Sequence, residues 1–395
     1  MFKATILLST RNGKRVRTVS VLDVPCVPSL ALTSPSRYSV DKRLMRGSHV
    51  IGEAATRAGC RFYAGYPITP QNELPEYLSK RFAELEDATF IQAESELAAI
   101  NMVMGASMTG MRAMTSSSSP GISLKQEGIS YMAGTELPAV VVNVMRGGPG
   151  LGNIAPSQQD YFQATRGGGH GGYRTIVLAP HSGQELVTLT MKAFDLADLY
   201  RLPVVLLGDG LMGQMMEPVT FPDPIDPSTL PRKDWTLSGA KGRHGHLLAS
   251  LLLDPLKMEQ HNWKLARKYA AIRERETEHE SYLLDDAVLA VVAFGTAARI
   301  AKGAVNRVRN SGLKVGLFRP ITLWPFPERE LKALTPRLKH ILVFEMNLGQ
   351  MVEDVNMSVG DKATVHFHGR PGGVISTPHE IADAITKVLY RYELG

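Results

Sequence analysis

The chain has 395 residues, 44% hydrophobic and 21% charged, with a formal net charge of +6; these are the proportions of a folded α/β protein of about two or three domains, not of a disordered chain. Its basic residues gather in 1–46, 231–243 and 264–275 without an aromatic-interleaved stripe, which argues against nucleic-acid binding. Two cysteines, Cys26 and Cys60, exclude a disulfide scaffold and cannot alone ligate zinc or an iron–sulfur cluster. No apolar run reaches the ~18 residues of a membrane helix, so a cytoplasmic protein with no membrane partner is expected.

Residues 1–43 differ from the rest. Positions 1–24 read as a short basic hairpin and 29–42 as a Ser/Pro/Arg-rich tract without periodicity, an atypical arm or the product of an upstream start codon. Its Arg- and Ser-containing character also resembles a transit peptide, against which Asp23 and Asp41 weigh. From Arg46 onward the spacing predicts helices over 48–58, 74–84, 95–107, 122–133 and 183–197, and strands over 61–65, 88–93, 112–116, 139–145, 175–178 and 203–207. Short apolar strands alternating with amphipathic helices imply a mostly parallel sheet covered on both faces. The run Val140-Val141-Val142-Asn143-Val144 is apolar enough to be central.

Between 217 and 286 the strand pattern lapses. A Pro/Asp-rich segment over 218–231 and a charged helix over 262–278 read as a bridge between domains. A second α/β block follows, with strands over 287–294, 314–318 and 341–345 and helices over 297–310, 328–334 and 380–392. The expected divisions are therefore 1–43, 44–217, 218–282 and 283–395.

Three segments at predicted strand ends carry hydroxyls and carboxylates in place of bland turn residues: Tyr66-Pro67-Ile68-Thr69-Pro70, Gln92-Ala93-Glu94-Ser95-Glu96 and the run from Thr115 to Gly121. Open α/β sheets place their binding crevices at such ends. Thr69 is held in a loop stiffened by two prolines. Glu94 and Glu96 open a helix, where either alone reads as a cap. Arg146 ends the central strand, where a buried guanidinium needs an anionic partner, often a ligand carboxylate or phosphate. Thr69 and either glutamate alone read as structural, whereas Arg146 is hard to explain by packing; their convergence with Ser116, Ser117, Ser118 and Ser119 indicates a site.

The remaining motifs are weaker. Neither Gly147-Gly148-Pro149-Gly150-Leu151-Gly152 nor the cluster over 166–172 has dinucleotide or P-loop spacing, so 147–172 reads as a long loop over a crevice. Gly208-Asp209-Gly210 invites a metal reading, but no asparagine follows it in 232–239. Asp209 is expected to be a strand-end turn residue, and no metal is expected on this chain. His244 with His246 and His366 with His368 lack a carboxylate or cysteine at zinc spacing and read as solvent-facing loop residues.

GYPITPQNE over 65–73, QAESE over 92–96, TSSSSPGISLKQEG over 115–128 and RGGPGLGN over 146–153 closely resemble the alpha subunit of the 2-oxoacid:ferredoxin oxidoreductases, with similarity across roughly 45–390. The resemblance implies a doubly wound parallel sheet of the thiamine-diphosphate pyrimidine-binding type, followed by a smaller transketolase C-terminal-like α/β domain. It implies a beta subunit that carries the diphosphate, Mg2+ and a 4Fe–4S cluster, with gamma and delta subunits as further partners and ferredoxin and coenzyme A as co-substrates. By position, Glu96 matches the glutamate that bonds the cofactor's aminopyrimidine, beside a loop of Tyr66, Pro67 and Ile68. Thr69 and Arg146 match groups near the carboxylate of the 2-oxo acid. A carboxylate on the pyrimidine stabilises the imino tautomer that removes the thiazolium proton.

The motifs look most like subunits acting on 3-methyl-2-oxobutanoate, with the 2-oxoglutarate type as the alternative. A second substrate carboxylate would need another cation, for which Arg166, Arg174 and His170 on the glycine loop are the candidates. Two readings of other classes stay open: a nucleotide-binding electron-transfer subunit, against which the missing fingerprint argues, and a non-catalytic scaffold subunit.

Overall fold

The structure is a computed structural model that describes residues 42–392, so all but the last two residues of the expected arm lie outside the described residues. The first part runs β1 (Arg43–Arg46), α1 (Gly47–Arg57), β2 (Phe62–Gly65), α2 (Glu73–Phe82), β3 (Thr89–Gln92), α3 (Glu96–Met108), β4 (Ala113–Ser117), α4 (Ser119–Gly134) and β5 (Ala139–Met145). It continues through α5 (Tyr161–Arg166), β6 (Ile176–Leu178), α6 (Gly183–Tyr200), β7 (Pro203–Asp209), α7 (Gly210–Gln214) and β8 (Met216–Val219). Beyond an irregular stretch come α8 (Pro255–Arg275), β9 (His279–Tyr282), β10 (Leu289–Val292), α9 (Gly295–Asn310), β11 (Val315–Pro320) and β12 (Thr322–Trp324). The last elements are α10 (Glu328–Leu334), β13 (His340–Glu345), α11 (Met351–Val359), β14 (Thr364–Gly369) and α12 (Pro378–Tyr392).

The large sheet has seven strands in the order β12-β6-β7-β5-β4-β2-β3, parallel except where β12 meets β6. Every residue of β5 is buried, because helices cover both faces of a parallel sheet. A second sheet orders β14-β13-β10-β11-β9, with β9 antiparallel to β11, and β1 pairs with β8 in a two-stranded ribbon. The sheets are tied by Arg319 of β11. Its fully buried guanidinium donates to Glu185 of α6 at 2.6 and 3.0 Å and to Glu280 of β9 at 2.7 Å.

Among the elements that differ from expectation are α8, β12 and β14. The helix α8 starts at Pro255, ahead of the expected 262, because Asp254 caps it through Leu256 N at 2.9 Å and proline suits a first turn. The strand β12 comes from the later part of the chain yet enters the first sheet, with Thr322 opposite Leu178. His366 and His368, expected in a loop, lie on the edge strand β14. There His366 faces His340 at 3.2 Å and the His368 ring packs near Phe344.

Candidate active site

The carboxyl ends of β2, β3, β4 and β5 gather the polar residues. At the start of α3 the cap is Ser95, whose Oγ accepts from Ala98 N at 3.1 Å, and Glu94 is exposed. Glu96, the first helical residue, is thereby released from capping and turns inward, buried at 3% exposure. Ser117 Oγ donates to its Oε1, and Lys125 Nζ makes an ion-pair contact with Oε2 that is not aligned as a hydrogen bond. A Cβ at Gly121 would collide with both Ser117 Oγ and Glu96 Oε1, so only glycine lets α4 approach the carboxylate this closely. Burial pulls the Lys125 ammonium below the usual lysine range, while Glu96 opposes the shift.

The serine run divides its work. Ser116 Oγ donates to Gln71 Oε1 at 2.6 Å and meets Tyr63 OH at 2.7 Å, which anchors the loop after β2 to β4. Ser118 Oγ is buried without a partner. Ser119 Oγ donates to Asp160 Oδ2 at 2.6 Å and accepts from Arg146 N at 3.0 Å, while Asn143 Nδ2 donates to the same Asp160 oxygen at 2.9 Å. Burial pushes the Asp160 carboxyl up, against the pull of Ser119 and Asn143.

Arg146 is 6% exposed. Its Nη1 donates to Thr69 O at 2.9 Å and its Nη2 to Leu151 O at 3.0 Å, but its Nε–H is buried with no acceptor and no described carboxylate pairs with it. Arg146 and Thr69 are thus brought together, though through the Thr69 carbonyl. Tyr66, Pro67 and Thr69 are exposed and Ile68 is half-buried. Beside Thr69 opens a cavity of about 420 Å3 walled by Pro70, Ile154, Pro156, Leu211 and Ile375, with Glu73 its one charged lining residue.

The glycine loop is placed differently. Arg166 Nη2 donates to Asp354 of α11 at 2.8 Å and its guanidinium lies over Phe162, while Arg174 donates to the carbonyls of Arg166 and Tyr173. His170 is exposed, and its carbonyl accepts from Ser130 Oγ. Neither Arg166 nor His170 contacts Glu96 or Arg146. The long loop is also less open than expected: it contains α5, and Gly168 and Gly169 lie against Gln126 of α4. Asp209 caps α7, accepting from Leu211 N at 3.0 Å and Met212 N at 3.1 Å.

Sequence reasoning missed Lys125, Asp160, Asn143 and Gln71. A signal for Lys125 existed: it shares a helix face with Gly121 and Gly128, and a Cβ at Gly128 would meet Ile100 at 2.6 Å. Glycines at such spacing mark a face pressed against another helix, where a lysine cannot be solvated.

The chain matches the thiamine-diphosphate-binding family of pyruvate flavodoxin/ferredoxin oxidoreductases over residues 53–284 and the pyruvate:ferredoxin oxidoreductase core domain II over 287–381. It is 47% identical over 346 residues to the VorB subunit of ketoisovalerate oxidoreductase from Methanothermobacter marburgensis, covering 88% of this chain and 97% of that one. The KorA subunit of 2-oxoglutarate synthase from Methanothermobacter thermautotrophicus is 35% identical over 373 residues, covering 88% and 99%. Among solved structures, a 2-oxoglutarate:ferredoxin oxidoreductase from Magnetococcus marinus, with 2-oxoglutarate, coenzyme A and succinyl-CoA bound, superposes with a TM-score of 0.79 at 26% identity. That match covers 88% of this chain and 65% of the neighbour's.

Proposed function

We propose, from the premise that this chain belongs to the 2-oxoacid:ferredoxin oxidoreductase family, that it is the subunit holding the pyrimidine side of the thiamine site and acts on 3-methyl-2-oxobutanoate. Residues 44–217 form the pyrimidine-binding domain, 218–282 the bridge and 283–395 the C-terminal domain. Thiamine diphosphate, when bound, supplies the nucleophilic carbon and the electron sink for oxidative decarboxylation. The observation that carries the reading is Arg146: a buried guanidinium with an unused Nε–H and no carboxylate partner. A buried cation without a counter-ion is costly, and a substrate carboxylate would relieve that cost.

The residues fit the cofactor as well. Glu96 is a buried carboxylate whose oxygens each keep acceptor capacity, and Gly121 crowds it with no side chain. Glu96 holds a proton at the ring nitrogen of the aminopyrimidine. Tyr66, Pro67 and Ile68 would hold the ring, Ser116 fixes their loop through Gln71, and Ser118 would offer its unpartnered hydroxyl. Thr69 orients the substrate carboxylate beside Arg146.

The cavity next to Thr69 supports a branched-chain acid. Its walls are mostly apolar, the one charged residue among them, Glu73, is an anion paired with Arg46, and Arg166, His170 and Arg174 do not line it, so the cavity offers no cation to a second carboxylate. The diphosphate, Mg2+ and the 4Fe–4S cluster belong to a beta subunit, since two cysteines cannot ligate such a cluster. Gamma and delta subunits, ferredoxin and coenzyme A complete the partners. Among the described residues no helix is long and apolar enough to cross a membrane, and we place the complex in the cytoplasm.

The test is ferredoxin or viologen reduction by the chain co-expressed with its cluster-bearing partner. Faster turnover of 3-methyl-2-oxobutanoate than of 2-oxoglutarate is expected, and the reverse order would overturn the substrate assignment. Glu96→Gln is expected to abolish turnover; activity within a few-fold of wild type would make this chain a scaffold.

A further inference from the structure

Lys125 is among the largest fully buried side chains of the protein, and nothing in the proposed chemistry uses it. Its Nζ meets Glu96 Oε2 and finds no aligned hydrogen-bond acceptor. If α4 needed only packing at this position, an apolar side chain would serve as well or better, because exchanging a buried ion pair for hydrophobic residues is often neutral or stabilising. The charge therefore requires a chemical reason.

That reason lies in the state of Glu96. Burial disfavours the charged form of any carboxyl. A cation in contact with it reverses the preference. Around the pair stand Ser117 from β4 and the Tyr63 phenol from β2, which burial pushes well above its ordinary range and so keeps neutral. Asp160 and Arg146, from the segments flanking this site, are bound to Ser119 with Asn143 and to backbone carbonyls, respectively. Lys125 is thus the one cation paired with Glu96 among the described residues.

We infer that Lys125 is a positioning residue that keeps Glu96 ionised and fixes its Oε2, so that thiamine diphosphate binding draws one proton into the contact between Glu96 and the aminopyrimidine ring nitrogen. The inference rests on the reading of Glu96 as the pyrimidine partner. The balance is simple: a carboxylate and a neutral ring nitrogen are both acceptors and cannot bond without a hydrogen between them. One proton therefore enters from solvent and no electrons move. When the cofactor is bound, the Glu96 carboxylate would face Lys125 on one oxygen and the ring nitrogen's proton on the other, with Lys125 limiting how much of its charge the ring receives. Without Lys125 no such uptake is expected.

Calorimetric titration of thiamine diphosphate into the cofactor-free complex of this chain with its partner and Mg2+, at about pH 8 in buffers of different ionisation enthalpy, counts the protons. Wild type is expected to take up about one proton per site, with affinity falling ~10-fold per pH unit above neutrality, and K125M about none, with a flat profile. K125Q gives the same reading if methionine disturbs the fold. Zero uptake by wild type, or undiminished uptake by either Lys125 variant, overturns the inference. E96Q separates the two levels: wild-type turnover in E96Q would sink the role of Glu96 itself. An inactive E96Q that takes up no proton, beside a K125M that still does, would sink only the role of Lys125.

Discussion

Replacing Arg146 by methionine separates a ligand-binding guanidinium from a structural one. The side chain gives the fold two hydrogen bonds, to the carbonyls of Thr69 and Leu151, each, with a charged donor, worth about 1.5–3 kcal/mol net. Against them stand a buried cation without an acidic partner and an Nε–H without an acceptor, a desolvation cost that methionine removes. The two effects nearly cancel, so R146M is expected to unfold within about 1 kcal/mol of wild type. The substrate side has no such offset. Losing a charge-assisted bidentate contact with a carboxylate costs about 2–4 kcal/mol, a fall in kcat/KM of ~30- to 1000-fold. Lysine keeps the charge without the planar fork, so R146K should lie between the two. Steady-state viologen reduction by the reconstituted complex, with denaturant unfolding of the same preparations, supplies both quantities. A variant that loses several kcal/mol of stability and keeps its kcat/KM would refute the reasoning and make Arg146 a fold residue.

Arg319→Met leaves Glu185 and Glu280 without their shared guanidinium and is expected to cost about 3–5 kcal/mol in thermal unfolding; a loss under about 1 kcal/mol would mean the network contributes little. The same variant bears on pH. Burial opposes ionisation of Glu185, yet His181 and Arg319 bring its carboxyl down to about 2, below the unfolded value of about 4.3. A depressed folded value gives stability that is complete above about pH 4.3 and is lost as pH falls towards about 2. The acid limb of the wild-type stability curve should therefore be steeper than that of R319M, and equal slopes would contradict the pairing. Gly121→Ala, in the first turn of α4, would ordinarily stabilise by up to about 1 kcal/mol. Here the new Cβ meets Ser117 and Glu96, so G121A is expected to lose about 1–3 kcal/mol together with cofactor affinity; a more stable G121A with full affinity would show that those groups yield.

Much of the large sheet was legible because its strands bury both faces and read as uninterrupted apolar runs. The run ending at Met145 matches β5 at both ends, and the polar residues beyond the strands stand out against that background. What escaped depends on partners far along the chain. Thr322–Trp324 is too short to show a period, and its neighbour β6 lies well over a hundred residues earlier. Arg166 reads as a free loop cation until Asp354, 188 residues later, is brought beside it. Lys125 is the instructive miss: lysine on a helix reads as solvated, and only the tight approach of α3 at Gly121 and Gly128 shows that this face has no water. Glu96 and Arg146 were visible as types of residue, whereas the pairing of the first and the unpaired state of the second are properties of three dimensions.

The strand β12 makes the two blocks inseparable in a practical sense. A truncation after the first block would strip Thr322–Trp324 from the margin of the large sheet and bare the backbone amides and carbonyls of Ile176–Leu178, an open edge that recruits other chains. The same cut would take the Arg319 guanidinium away from Glu185 on α6 and leave it His181 alone among its cationic partners. Neither block is therefore a module to be expressed, swapped or crystallised by itself, and any recombinant dissection of this subunit has to carry the later segment along to keep the earlier one soluble.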